Sequence, residues 1–367
     1  MKEVESRNPE IGFMINQKEG VHSKITRSYM PLNPSLEFER MDIGGMEEKS
    51  FYIKQSFENP LKLNLYKNLS VSDYRISDYE YQSVKNRILR ESEVLYYEYL
   101  FVLKKRAIYL KMLELVDMIS SIAKSRYVSN PEAKDILKAE IEYSQINEEL
   151  KVLALKEHNL IDELRSYAGG YSVFLSSLAF QKPDFNYEYD KLVSRLNLNP
   201  ELLYAKTIIE NQKLNIKLAG YRYLPDFMLG YRKRYDGSDS HDIIIGFEVP
   251  IFFNKNRSYV LESEFLKKAY EKKYEAIRLD KEFLLKKYFL ESKTNYELLN
   301  YYLSVLIPKS EADLNITISS YQKGDGDISE VLYSFEKYLE IQMKYWVYFF
   351  DFYKSMAFLN EVVGRSL

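Results

Sequence analysis

The chain has 367 residues, with 52 Lys and Arg against 54 Asp and Glu, three His and no Cys. A formal net charge of −2 excludes a nucleic-acid surface as the main function, because neutralising phosphates needs a basic excess. The missing Cys removes disulfides, thiolate metal sites and Cys nucleophiles together, and His22, His158 and His241 are too scattered for a His-based metal or acid–base centre. With only 13 Gly and 10 Pro, turns are few and the elements must be long.

The first helix is predicted from Pro9 to about Ser28: Asn8 caps it, Pro9 takes the first position and Glu10 follows. Two strands come next, at about 35–41 and 50–58. Leu36 and Phe38 alternate with polar residues in the first, and Phe51, Ile53 and Phe57 alternate with Tyr52, Lys54 and Ser56 in the second. Gly44-Gly45 supplies the turn. Pro60 precedes a helical tract over 61–124, roughly 95 Å long, and a returning helix over 131–167 of roughly 55 Å. Residues 169–198 form a mixed segment with short elements of its own.

The order then starts again. Asn199-Pro200-Glu201 opens a helix to about Tyr221. Strands follow at about 226–233, where Phe227, Leu229 and Tyr231 alternate with Met228, Gly230 and Arg232, and at about 242–249, where Ile243, Ile245, Phe247 and Val249 form the apolar set. Asp236-Gly237-Ser238 lies between them. Pro250 precedes a tract over 256–319, in which Pro308 predicts a kink. A return helix runs over 328–363.

Four anchors recur in the same order at a spacing of about 190 residues: Asn8-Pro9-Glu10 with Asn199-Pro200-Glu201, Pro34 with Pro225, Asp135-Ile136-Leu137 with Glu330-Val331-Leu332, and Gly170 with Gly364. The chain is therefore expected to be a duplication, with repeats 1–191 and 192–367. Each return leg is shorter than its outgoing leg by roughly 40 Å, so another helix must stack on its end. The return helix of the first repeat is expected to continue into the helix from Pro200, and that of the second into the helix from Pro9.

Windows long and apolar enough for a transmembrane helix are missing. Residues 1–20 carry no signal-type apolar run, which fits either a cytosolic chain or a mature form whose export signal has been removed. Four amphipathic strands leave two possibilities. If their apolar faces meet helices, the protein is an ordinary α+β domain. If they meet lipid, other copies must close the sheet, because a spanning sheet has no open edge.

Several motifs resemble the TolC-like outer-membrane efflux proteins. They are the paired Asn-Pro-Glu helix starts, Met30-Pro31-Leu32-Asn33-Pro34 and Tyr223-Leu224-Pro225-Asp226-Phe227 before the strands, Val249-Pro250-Ile251-Phe252 after them, Leu306-Ile307-Pro308, and Tyr321-Gln322-Lys323-Gly324 leading through Asp327 to Glu330-Val331-Leu332. The resemblance spans essentially the whole chain. The Pro-Asn-Pro-like strand start at Pro31-Leu32-Asn33-Pro34 and residues 55–63 look closer to the heavy-metal efflux branch.

The resemblance implies a mostly α, α+β protomer with duplicated strand hairpins and long antiparallel helices. Three protomers would build a twelve-stranded transmembrane β-barrel in the bacterial outer membrane, continued by a twelve-helix periplasmic α-barrel. The implied role is non-enzymatic: a passive exit duct for metal ions or small toxic compounds, fed by an inner-membrane transporter through a periplasmic adaptor, without cofactor, metal site or nucleic acid. Leu36, Phe38, Phe51, Ile53, Phe57, Phe227, Leu229, Tyr231, Ile243, Ile245, Phe247 and Val249 would face lipid. Arg126, Tyr127 and Asn130 at one helix turn, and Tyr321, Gly324, Asp325 and Asp327 at the other, would form the tip gate and adaptor contact. Plain stereochemistry accounts for part of this: Gly324 suits a tight turn and Asp327 a helix cap. The rival class is a soluble coiled-coil scaffold that binds partners through its helix hairpins. The Tyr and Phe stripes at 96–101 and 345–353 are read as helix-packing surface.

Overall fold

The structure is a computed structural model that describes residues 1–43, 46–127, 133–171, 183–235 and 240–365. In chain order it comprises α1 (Lys2–Arg7), α2 (Pro9–Ser28), β1 (Ser35–Ile43), β2 (Met46–Phe57), α3 (Pro60–Tyr127), α4 (Ala133–Tyr167), α5 (Tyr189–Arg195), α6 (Pro200–Tyr221), β3 (Asp226–Tyr235), β4 (His241–Glu248), α7 (Phe253–Tyr301), α8 (Ile307–Lys323) and α9 (Ile328–Val362). It is mostly helical, with two strand hairpins and long antiparallel helices. The expected turns Gly44-Gly45 and Asp236-Gly237-Ser238 lie outside the described residues.

Three helices open on Asn-Pro. Asn8 Oδ1 accepts from the backbone N–H groups of Glu10 and Ile11 at 2.9 and 3.1 Å, and Asn59 Oδ1 accepts from Leu61 at 3.1 Å. These bonds satisfy donors that the first helical turn leaves open, while the proline has none to satisfy. At Pro308 the expected irregularity takes the form of a π turn over Tyr302–Leu306, joining α7 to α8. Proline donates no hydrogen bond and crowds the carbonyl four residues back, at Ser304, and the wider turn makes room for it.

The strands form one antiparallel sheet in the order β1-β2-β3-β4. Its central pairing joins the two halves of the chain, from Phe57↔Phe227 to Lys49↔Tyr235. The chain divides into two compact units, one of residues 1–12, 84–199 and 280–367, the other of residues 13–83 and 200–279. Neither coincides with residues 1–191 or 192–367, because cross-half pairings such as β2 with β3 draw each unit from both.

Within the first unit the helix ends meet differently from the sequence expectation. The Asn8 amide donates to the Tyr167 carbonyl at the end of α4 at 2.8 Å, and the Asn199 amide donates to the Val362 carbonyl at the end of α9 at 2.9 Å. Each return helix therefore abuts the helix start of its own half and not that of the other half. The reason is visible at the chain reversal. Gly169 has φ +69°, and a Cβ there would lie 2.6 Å from the Arg7 carbonyl; Gly364 has φ +83°, with the Leu198 carbonyl 3.0 Å from the same position. These two glycines are the structural equivalents, a one-residue correction to the pairing of Gly170 with Gly364.

Side chains from α3, α4, α8 and α9 form a core of Met112, Val116, Ile119, Ile146, Leu314, Ile318, Tyr321, Ile328, Val331, Leu332 and Phe335. The aromatic stripes pack helix on helix, with Tyr97 stacked on Tyr353 at 4.2 Å and Phe101 on Phe350 at 5.9 Å between ring centroids.

Candidate functional site

Strand register sorts the sheet into two chemically distinct faces, since directly paired residues point the same way. One face carries the rows Leu36–Ile53–Tyr231–Ile243, Phe38–Phe51, Leu229–Ile245 and Phe57–Phe227–Phe247. Eleven of the twelve expected apolar positions thus share a face, and Val249 follows one residue beyond β4. This face is bare: Phe38 is 85 % exposed, Ile243 78 % and Ile245 70 %. Phe51 is half-buried beside Phe38, with ring centroids 4.8 Å apart. Side chains under a helix layer could not show these exposures, so the ordinary α+β arrangement does not apply.

The opposite face is laced with charge. Lys54 pairs with Glu37, Tyr52 donates to Glu39, Arg232 pairs with Glu48 and donates to Ser50, and Arg234 donates to Asp242 at 2.9 Å. A sheet with one oily side and one ion-paired side fits a wall between hydrocarbon and water. Its outer strands, β1 and β4, each have a single strand neighbour among the described residues. At the helix end, Asp226 accepts from the Asn59 backbone and from Lys62 Nζ, both at 2.8 Å, and so fixes the start of α3 to β3. Sequence reasoning missed this clamp, although Asn59-Pro60 repeats the helix start seen at Asn8 and Asn199.

In the second unit, neighbouring helices are α2 and α3 (Lys18–Asp78, 3.2 Å), α3 and α6 (Asn211–Asp73, 2.7 Å), and α6 and α7 (Arg222 over Tyr259, 3.7 Å). Phe13 on α2 and Phe265 on α7 are exposed. In the first unit the neighbours are α4 and α3 (Arg106–Glu157, 3.0 Å), α3 and α9 (Arg90–Glu361, 2.6 Å), and α9 and α7 (Ser292–Ser355, 2.9 Å). There α4 exposes Leu137, Ile141, Val152 and Leu155, and α7 exposes Phe283 and Leu290. Each unit thus leaves apolar side chains bare on its flanking helices.

The α8–α9 turn is built from local chemistry. Gly324 takes φ +93°, a conformation costly for residues with a Cβ; its N–H reaches the Tyr321 carbonyl at 3.2 Å, and the Asp325 N–H reaches Ser320 at 3.1 Å. Asp327 caps α9 by accepting from the Ser329 N–H at 3.3 Å. Asp325 and Asp327 are exposed. Tyr321, one of the positions expected at the tip gate and adaptor contact, is 1 % exposed and packs in the core. Arg126 and Tyr127 are the last residues of α3, and Asn130 lies outside the described residues.

Among the described residues, no group of three or more His, Asp or Glu is arranged to hold a metal ion, and no helix is long and apolar enough to cross a membrane.

No family model and no curated protein sequence matches the chain. Solved structures do. The outer-membrane channel OprN superposes with a TM-score of 0.84 at 13% identity, covering 100% of this chain and 89% of its own. CusC, described in terms of folding and transmembrane channel formation, gives 0.83 at 13%, covering 100% and 91%. The outer membrane protein VceC from Vibrio cholerae gives 0.83 at 12%, covering 99% and 94%. By this similarity over nearly its full length, the chain has the fold of the TolC-like outer-membrane efflux channels.

Proposed function

We propose that the protein is the outer-membrane channel subunit of a tripartite efflux system, extending into the periplasm and conducting passively. The observation that carries this reading is the sheet: its bare apolar face suits lipid, its ion-paired face suits a water-filled lumen, and its two outer edges need partners. Three copies would supply twelve strands and close the barrel. The exposed apolar side chains on the flanking helices support the same head-to-tail closure, in which one face of a protomer meets a different face of the next. The two-repeat reading is supported by the matching junctions at Asn8 and Asn199.

The tip gate and the contact with a periplasmic adaptor are assigned to Tyr321, Gly324, Asp325 and Asp327 at the α8–α9 turn, together with Arg126, Tyr127 and Asn130 of the other turn. An inner-membrane transporter supplies the energy. The heavy-metal branch is the finer reading, and residues 30–34 and 55–63 support it.

Extraction from outer membranes in detergent, followed by mass measurement and planar-bilayer recording, tests the proposal. A heat-modifiable species near three times 43.6 kDa with measurable conductance is expected. A freely soluble monomer overturns it.

A further inference from the structure

We propose that the hydrocarbon layer of the membrane reaches past the helix end of the sheet and covers the segments that join the strands to the helices, as far as the starts of α3 and α7. The inference rests on the outer-membrane reading above and adds to it where the lipid stops.

The apolar face of the sheet is too short by itself. From Phe51 to Phe57 along β2 is about 20 Å, or about 16 Å along the membrane normal at a strand tilt of about 40°. The loop side offers no extension, because Lys233 shares the row of Phe51 and Arg40 pairs with Lys49 in the next. A transmembrane barrel presents an apolar band about 25 Å tall, so about 9 Å remains to be found at the helix end.

All four chain segments that meet the sheet there supply it. Counting by twos from the apolar strand residues leads to Met30 and Leu32 before β1, Leu61 after β2, Tyr223 before β3, and Val249 and Ile251 after β4. Each of these side chains is exposed. The Gln55 amide donates to the Leu32 carbonyl at 2.6 Å and holds that approach against β2. Phe253, the first residue of α7 and itself exposed, stacks on Tyr223 with 6.3 Å between ring centroids. Phe247 to Ile251 spans at most about 14 Å, enough for the shortfall. A bilayer can instead thin to meet a short face, at a cost that rises with the mismatch; apolar surface below the sheet makes thinning unnecessary. Just beyond, Lys255 and Arg257 are exposed on α7, and cations on long apolar stems suit the headgroup level.

The chain has no Cys, so Leu32→Cys, Ile251→Cys and Phe253→Cys can each carry a single nitroxide label. In phospholipid vesicles they are compared with Ile245→Cys on the sheet and with Lys272→Cys on α7, where the native side chain is 80 % exposed. Collisions with oxygen, which concentrates in hydrocarbon, and with a water-soluble nickel complex read the environment of each label. The oxygen-to-nickel ratio at Leu32, Ile251 and Phe253 is expected to match that at Ile245 and to exceed that at Lys272 about tenfold, since a polar complex is excluded from hydrocarbon. A ratio equal to that at Lys272 overturns the inference, and so does a label that neither reagent reaches, which marks cover by a neighbouring protomer. Where a label prevents trimers from forming, hydroxyl-radical oxidation of the parent protein in vesicles takes its place: Phe252 and Phe253 should stay unmodified, and oxidation as strong as in the unfolded chain overturns the inference. A water-like ratio at Ile245 as well overturns the channel reading with it.

Discussion

The Asn8 side-chain amide donates to the Tyr167 carbonyl oxygen at 2.8 Å while its Oδ1 accepts from the first turn of α2, so one residue closes the end of one helix and the start of another. Asn suits this position because it offers a donor and an acceptor on one short side chain.

Asn8→Ala is expected to destabilise the protein by about 2 kcal/mol, roughly half from the lost cap and half from the unsatisfied carbonyl. Asn8→Asp keeps the cap, loses the donor and brings a carboxylate to a carbonyl, so it should also be destabilised. Urea unfolding followed by circular dichroism measures both. Midpoints equal to that of the parent protein would show that the junction contributes nothing.

On the sheet, adjacent residues of β4 should respond oppositely to the same change. Ile245→Lys puts a charge on the apolar face and is expected to cost about 2–4 kcal/mol near the membrane midplane, with loss of insertion. Ile244→Lys places it on the ion-paired face and should leave insertion intact. Liposome insertion assays compare them, and equal behaviour of the two variants would remove the assignment of faces.

At the α8–α9 turn, charge and capping can be separated. Asp327→Asn keeps a good helix cap and removes the charge, whereas Asp327→Ala removes both and should destabilise by about 1 kcal/mol. In a threefold assembly each exposed Asp becomes a ring of three charges, and such rings govern ion passage. Asp325→Ala and Asp327→Asn are expected to raise closed-state conductance in planar bilayers. Unchanged conductance in both excludes these residues from the gate.

Glu142 on α4 is held above the usual carboxylate range, first by burial and then by the nearby Glu336 carboxylate. A carboxyl raised in the folded state binds its proton more tightly there. Its ionisation therefore lowers stability as pH rises through the folded value, and has no effect below the ordinary value. Glu142→Gln should accordingly match the parent protein below about pH 4 and be more stable at pH 7 to 8, by a few tenths of a kcal/mol because solvent screens the pair. Melting temperatures across that range provide the check. A variant less stable at pH 8 would reverse the assigned sign.

Much of the fold was legible because its signals are local. Pro9–Ser28 and Pro200–Tyr221 matched the expected helices because Asn-Pro-Glu satisfies the open donors of a first turn using neighbours in sequence. The strands were readable from period-two alternation, although β1 and β2 extend farther toward their loop, to Ile43 and Met46, than the expected 35–41 and 50–58. The π turn before Pro308 went unread because proline signals an irregularity without specifying which kind relieves it.

What the sequence by itself determined is the set of elements, their order and the two-sided character of each strand, all of which depend on residues within a few positions of one another. Tertiary structure alone decided that β2 pairs with β3 and that α4 and α9 end on the helix starts of their own halves. Those outcomes turn on contacts between residues far apart in the chain, where strand register and the approach of one backbone to Gly169 or Gly364 select among arrangements that local patterning leaves equivalent.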